Sequence, residues 1–240
     1  MTYQLVTGAG GTVGSALCRR LSNPLALGHG ENSLYELDVD CPKILADIRD
    51  EARLQEIFEK YTLGAIYHLA AHKHVSFCED NINEAISNNV YGTQLLVRLA
   101  KEYGVPRFVY LSTDKAVEPI NVYGMTKALA ERIVLAAGYT VVRSGNVIGS
   151  RGSVIPKWKE QAAKGEPLTI TDPEATRYFI GVDTLANVVK VARGNIVVVA
   201  DTDLVKMGHI ARYIGGKDWN VIGLQPGEKK HEKLRWDWEI

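Results

Sequence analysis

Short apolar runs rich in β-forming residues alternate along most of this chain with segments of helical periodicity. That order predicts an α/β fold, a doubly wound parallel sheet whose strands are joined by crossover helices. Strands are expected at "YQLVT" (3–7), "SLYEL" (33–37), "AIYHLA" (65–70), "RFVYLS" (107–112), "YTVVRS" (139–144) and "IVVVA" (196–200), with a weaker one at "KILA" ahead of "DIRD". Helical spacing of apolar positions fits residues 12–22, 50–60, 83–103, 123–137, 156–164, 183–193 and 203–214. Near residue 145 Gly, Pro and Ser cluster in "SGNVIGSRGSVIP" and the alternation loosens. Residues 1–145 are therefore expected to form the sheet domain. Residues 146–240 form a small region of loops and short helices where a substrate is gripped, with the strand near 196–200 returning to the sheet.

A hydrophobic share of 46% over 240 residues is enough to bury a substantial core. The 28 basic and 28 acidic residues cancel, so the broad field that nucleic acid or an anionic membrane surface would need is missing, and any anionic partner must be met locally. No apolar run approaches the roughly 20 residues of a membrane span. The N-terminus enters a strand-like segment directly, without a signal-peptide layout, so a soluble cytoplasmic protein is expected. Cys18, Cys41 and Cys78 are scattered singly and fit neither a disulfide framework nor paired metal ligands. His68, His72 and His74 fall in "AIYHLAAHKHV" with no acidic partner spaced to complete a metal site, so no metal is expected, and packing or substrate-pocket roles are read for this stretch, Lys73 and His74 included.

"VTGAGGTVGSALCRRL" follows the first strand and opens the first helix, with Gly8, Gly11 and Gly14 spaced three apart. Glycine permits a tight turn and close backbone approach, and the free N–H groups of the new helix face a pyrophosphate, so this loop, with Thr12 and Val13, reads as the phosphate cradle of a Rossmann-type dinucleotide site. An acidic side chain at the end of the second strand would accept hydrogen bonds from the adenosine ribose. Glu36 or Asp38 in "LYELDVD" is the candidate, with no Arg or Lys before Lys43, which favours NAD over NADP. Asp47 and Ile48 in "ADIRD" are placed to flank the adenine, and Leu69, Ala70 and Ala71 in "HLAAH" close the strand nearest the nicotinamide.

Tyr123 and Lys127 stand four apart at the start of a helix and share one face. A free tyrosine titrates near about 10, but a neighbouring ammonium and a positive nicotinamide ring both favour the phenolate, a base for a substrate hydroxyl whose carbon passes hydride to NAD(P)+. Ser112 and Thr113 end the strand before it.

Together, "TGAGGTVG", "HLAA", Asn89 in "NNVYGT" and "YGMTK" resemble the extended branch of the short-chain dehydrogenase/reductase superfamily acting on nucleotide sugars, over nearly the whole chain. Asp114 and Lys115 lie between the fourth long strand and the tyrosine helix, at the crevice where ligands of such sheets sit. Reductases and epimerases need no further acid and base there, whereas an elimination does. Once a sugar C4 is a ketone, a base can remove the C5 hydrogen while an acid protonates the departing C6 hydroxyl. Lys115, lowered by desolvation and nearby positive charge, suits the base, and a protonated Asp114 the acid.

"LSTDKAVEPINVYGMTK", "VRSGNVIGSRGSVIPKWKEQ", "LTITDPEATRYFI" and "QPGEKKHE" are similar to the UDP-N-acetylglucosamine 4,6-dehydratases of the polysaccharide-biosynthesis group. The resemblance implies that Thr113 holds the C4 hydroxyl, that Asp114 and Lys115 carry the elimination, and that Tyr123 with Lys127 drives hydride transfer. It also implies that Asn146, Arg151, Ser153, Val154, Arg177 and Glu228 line the nucleotide-sugar side, with an arginine fork suited to a diphosphate. A UDP-sugar substrate, NAD or NADP as cofactor, and a homodimer or larger homo-oligomer through the helices at 83–103 and 123–137 are implied likewise. Inverting relatives often use NADP, and relatives continue beyond "PGEKKHE", which implies a pared-down substrate region. A 4-epimerase or reductase, needing Tyr123 and Lys127 but not Lys115, and a non-catalytic cofactor sensor are the alternatives.

Overall fold

The computed structural model describes residues 1–200, 202–215 and 218–237. Its strands are, in chain order, β1 (Tyr3–Thr7), β2 (Pro24–Gly28), β3 (Lys43–Leu45), β4 (Leu63–His68), β5 (Phe108–Thr113), β6 (Thr140–Ser144), β7 (Asn146–Val147), β8 (Leu168–Ile170), β9 (Thr176–Ile180), β10 (Val197–Val199), β11 (Asp203–Lys206) and β12 (Trp219–Val221). The helices are α1 (Thr12–Cys18), α2 (Glu31–Tyr35), α3 (Glu51–Lys60), α4 (Val75–Asp80), α5 (Ile82–Ile86), α6 (Gly92–Glu102), α7 (Val122–Ala136), α8 (Val154–Ala163), α9 (Val182–Val191) and α10 (Met207–Gly215).

Seven strands form one parallel sheet in the order β10-β6-β5-β4-β1-β2-β3, so the direction of winding reverses between β1 and β4. A parallel sheet covered on both faces needs apolar residues of both parities, and the strands supply them. Leu5, Leu25, Leu27, Ile66, Phe108 and Val141 point to one side, where α3, α6 and α7 deliver Leu54, Leu96 and Val134. Val6, Ala26, Tyr67, Val109 and Val142 point to the other, under Leu17 of α1 and Leu185 of α9. Beyond β6 the chain leaves the sheet for a small three-stranded sheet (β11-β9-β7), a β12-β8 pair and a separate core around Trp158. It rejoins the main sheet at β10, beside β6.

Three expected elements are placed differently. The second strand is Pro24–Gly28, and "SLYEL" is mostly the short helix α2. Leu34 and Leu37, both buried, are three residues apart and so fit a helical turn, while Pro24 sits at the first position of its strand, where a missing N–H is tolerated. The segment expected as a helix from 203 begins instead as β11, antiparallel to β9, and turns helical at Met207. The long helix at 83–103 is α5 and α6 joined by a π-helical turn at Ser87–Tyr91. No helix among the described residues is long and apolar enough to cross a membrane.

Candidate active site

The carboxyl ends of β1, β4, β5 and β6 open into a cleft of about 590 Å³ that runs across the switch point, where ligands of open α/β sheets bind. Gly8, Gly11, Thr12, Val13 and Gly14 form one wall. Any side chain on Gly14 would run into the carbonyl oxygen of Gly8 and stand 2.8 Å from the Ala9 Cα, so only glycine lets the loop fold back this tightly. Leu69, Ala70 and Ala71 line the cleft opposite. Their position is set by Thr7, whose Oγ1 accepts from the N–H groups of Leu69 and Ala70, both at 3.2 Å, and meets His68 Nδ1 at 2.7 Å. His68 in turn reaches the Thr93 hydroxyl (2.9 Å), and burial together with Lys127 pushes its imidazole down to about 3, so it serves as a neutral link between strands.

The far end of the cleft is bounded by Gly28, His29, Gly30, Ser33, Asp47 and Arg49. Glu36 and Asp38, expected at the end of the second strand, are exposed and do not line it, because the strand ends nine residues earlier than read and α2 intervenes. No acidic side chain of that segment therefore favours NAD over NADP. Asp47 does line the cleft, but its carboxylate is clamped by Arg49 at 2.9 and 2.7 Å, which holds it below the usual carboxylate range. Ile48 is packed in the core and does not line the cleft. His29, Ser33 and Arg49, which line the cleft, carry no local signature in the sequence.

Asn89 is buried behind the cleft rather than on its wall. It accepts from the His72 N–H (2.8 Å) and donates to the His72 carbonyl (2.9 Å) and Thr126 Oγ1 (3.1 Å), so it ties the segment after β4 to α7.

β5 and α7 bring together the candidate proton-handling residues. Thr113 ends β5, and Asp114–Ala116 make a single 3-10 turn capped by the Thr113 side chain. α7 begins after Asn121, whose side chain accepts from the Gly124 N–H at 2.6 Å. A Cβ on Gly124 would strike the carbonyl oxygen of Lys115, so this glycine lets α7 press directly against the turn. Lys115, Tyr123, Lys127, Ser112 and Thr113 accordingly line the same cleft. Asp114 lies just behind it, with no exposed surface. Its Oδ1 accepts from Thr113 Oγ1 (2.9 Å) and Lys115 Nζ (3.0 Å), while Oδ2 has no hydrogen-bond partner.

The electrostatics differ from expectation. Burial drives Lys127 down to about 7, with Glu131 only partly opposing; its Nζ donates to the Leu111 carbonyl at 2.6 Å and lies 4.0 Å from the centre of the Tyr110 ring. Burial pushes Tyr123 up to about 12, Lys115 pulling the other way, so in the protein alone it is a phenol and not the phenolate expected from a lysine neighbour. Burial also works against the Lys115 ammonium, yet the Asp114 and Glu232 carboxylates, at 3.0 and 3.6 Å, hold it above the ordinary lysine value. The lowering expected for Lys115 is reversed because its nearest charges are negative.

On the other side Lys73, His74, Asn146, Arg151 and Ser153 line the cleft. Lys73 Nζ donates to the Arg151 carbonyl (2.8 Å), the Arg151 N–H approaches Thr12 Oγ1 (3.4 Å), and its guanidinium donates to the Gly10 carbonyl. Arg151 thus lies over the glycine loop, within reach of whatever occupies it. Ser153 Oγ is buried and has no hydrogen-bond partner. Val154, Arg177 and Glu228 do not line this cleft. Arg177 donates to the carbonyls of Thr176 and Lys230, both at 2.9 Å, and to Glu228 at 2.8 Å, so its fork is occupied by the chain itself. Glu232 and Lys229, which the motif reading did not single out, join the reactive turn instead.

Residues 4–239 match the model of a family described as "Polysaccharide biosynthesis protein". The chain is 40% identical over 267 residues to the capsular polysaccharide biosynthesis protein CapD of Staphylococcus aureus, a match that takes in 96% of this chain and 44% of that one. It is 34% identical over 206 residues to an inverting UDP-N-acetylglucosamine 4,6-dehydratase of Campylobacter jejuni, with 78% of this chain and 60% of that one aligned. The chain thus spans less than half the length of the first relative. Among solved structures, the dTDP-glucose 4,6-dehydratase DesIV of Streptomyces venezuelae, with NAD and TYD bound, superimposes with a TM-score of 0.87 at 21% identity, covering 98% of this chain and 88% of that one. Fold, glycine loop and family match agree: the chain belongs to the polysaccharide-biosynthesis proteins, a group within the extended short-chain dehydrogenase/reductases.

Proposed function

We propose that the protein is a nicotinamide-dependent nucleotide-sugar 4,6-dehydratase that converts UDP-N-acetylglucosamine to a UDP-4-keto-6-deoxy-hexosamine. The observation that carries this reading is the Lys115–Asp114 pair at 3.0 Å, set at the end of β5 with Lys115 opening onto the cleft that Tyr123 and Lys127 also line. A reaction confined to C4 needs one base, and here a second acid and base stand beside it.

The glycine-lined wall fits a dinucleotide, since Gly14 lets the loop fold back on Gly8 and keeps its backbone, free of side chains at Gly8, Gly11 and Gly14, against the cleft. When bound there, a nicotinamide supplies the hydride acceptor at C4 and the hydride donor at C6. Tyr123 takes the proton of the C4 hydroxyl, which requires its phenol to be brought down from about 12. A cationic ring and the Lys115 ammonium both act in that direction. Lys127, brought down to about 7 by burial, can hydrogen-bond a ribose and gains a proton when an anion enters. In the elimination the C5–H bond breaks and its proton passes to Lys115 Nζ. The electron pair forms the C5–C6 double bond, and the C6 hydroxyl departs as water with a proton from Asp114. Thr113 Oγ1, 2.9 Å from Asp114, orients that carboxyl. Arg151 and Ser153 on the facing wall are the groups offered to diphosphate oxygens.

A homodimer or larger homo-oligomer through α6 and α7 is part of the proposal, supported by the exposure of Tyr91, Tyr103, Met125 and Leu129 on or beside those helices. The reading is tested by incubating the protein with UDP-N-acetylglucosamine and, in parallel, NAD or NADP. A product lighter by one water is expected. A product of unchanged mass with inverted C4 would make the protein an epimerase.

A further inference from the structure

A second carboxylate reaches the turn after β5 from the far end of the chain. Glu232 follows the "QPGEKK" stretch, its side chain is 2% exposed, and its Oε1 lies 3.6 Å from Lys115 Nζ. Its Oε2 stands 3.5 Å from Lys229 Nζ but has no hydrogen-bond partner. Lys229 is held in place by donating to the Val117 carbonyl at 2.6 Å, just past the same turn. The groups facing Lys115 are therefore Asp114 on its own turn, Tyr123 on α7 and Glu232 on the C-terminal segment, with Cys78 behind Tyr123. Those facing Glu232 are Lys115 and Lys229. A buried carboxylate with one oxygen unbonded is costly unless its charge is used. It does not line the cleft.

We propose that Glu232 is a positioning residue for proton transfer: its buried charge keeps one proton shared between Asp114 and Lys115 and makes Lys115 the stronger base. The inference rests on the dehydratase reading. In the resting arrangement Lys115 is an ammonium and Asp114 a carboxylate. The competent arrangement, neutral Lys115 beside protonated Asp114, differs from it by one proton moved along the 3.0 Å hydrogen bond, so nothing is exchanged with solvent. During elimination the C5 proton arrives on Lys115 while the proton on Asp114 leaves with the C6 oxygen as water, which restores the resting arrangement. The Glu232 carboxyl group, 3.6 Å away, stabilises the ammonium as it forms. With a neutral group in its place the pair would hold its proton less tightly, and both the resting ammonium and the base strength of Lys115 would fall.

The test titrates Lys115 directly, by competitive acetylation read by mass spectrometry across pH, on the folded chain without substrate and beside a control peptide. Wild-type Lys115 is expected to label with a midpoint above the control, Glu232→Gln to move that midpoint down by about one pH unit, and Glu232→Asp to restore most of it. The pH profile of turnover by Glu232→Gln should move to lower pH in step. A wild-type midpoint at or below the control overturns the proposal without any variant. So does a folded Glu232→Gln protein whose Lys115 midpoint and pH profile stay in place while activity merely drops. The expected Lys115 midpoints together with no loss of water from UDP-N-acetylglucosamine would leave the charge relation standing and sink the dehydratase reading instead.

Discussion

Two lysines line one cleft, Lys127 buried and Lys115 half-buried, and their electrostatic surroundings push them in opposite directions. Lys127 on α7 is held by a backbone carbonyl and an aromatic ring, with Glu131 as its one opposing charge, and burial wins, bringing it to about 7. Lys115 on the turn after β5 meets two carboxylates within 3.6 Å, and they outweigh burial. The difference shows that burial alone does not decide how a lysine behaves. The number of negative partners within ion-pair distance does. The first environment suits a group that answers to an incoming anion. The second suits one that exchanges a proton with a fixed neighbour.

The comparison breaks most severely if Lys115 is dispensable. Lys115→Met should reduce dehydration at least about 10³-fold, the scale of a lost general base, while cofactor binding measured by fluorescence quenching is retained. Turnover within tenfold of wild type would remove this lysine from the chemistry. Tyr123→Phe should cost about 10²-fold or more in turnover, with reduced nicotinamide failing to appear in a single turnover, because the C4 proton has no acceptor. In Lys115→Met the same single-turnover signal should survive, since oxidation at C4 precedes the elimination. That contrast separates the two pairs.

Glu131 sharpens the Lys127 side. It forms a two-point contact with Arg143 at 3.1 and 2.6 Å, both partners buried, and also offsets the burial of Lys127. Glu131→Gln should destabilise the fold by about 3 kcal/mol in denaturant unfolding, since a buried guanidinium loses a two-point carboxylate partner. The smallest effect is a pH slope. The folded chain releases the Lys127 proton near 7, the unfolded chain only near the ordinary lysine value, so between them the unfolded state binds more protons and stability rises with pH. Between pH 7.5 and 9 wild type should gain about 1 kcal/mol per pH unit relative to Lys127→Met. Equal slopes for the two proteins would show that Lys127 is charged when buried.

Much of this was legible because parallel strands announce themselves as apolar runs of both parities and because Tyr123, Lys127 and Lys115 are close in sequence to one strand end. The glycine spacing at 8, 11 and 14 likewise needs no distant partner to be meaningful. What escaped depended on context. "PLALG" begins with proline and ends with glycine, which hides a strand until β1 is seen beside it, and the ribose candidates Glu36 and Asp38 lie outside the cleft that His29 and Ser33 line. Arg177 carries the residue type that grips diphosphate, yet its neighbours Lys230 and Glu228 occupy its donors, a relation between segments over 50 residues apart. Glu232 has no local signal at all. Its meaning comes from a fold that brings it to a turn more than 110 residues earlier.

In the proposed reaction Lys115 removes the C5 proton after C4 is oxidised. This step is tested most directly by running the reaction with UDP-N-acetylglucosamine in deuterium oxide and reading the product by NMR and mass spectrometry. The account predicts a 4-keto-6-deoxy product with one solvent deuterium at C5, formed by wild type and absent with Lys115→Met. A product that keeps its C5 hydrogen, or a dehydrated product formed equally well by the variant, would contradict it.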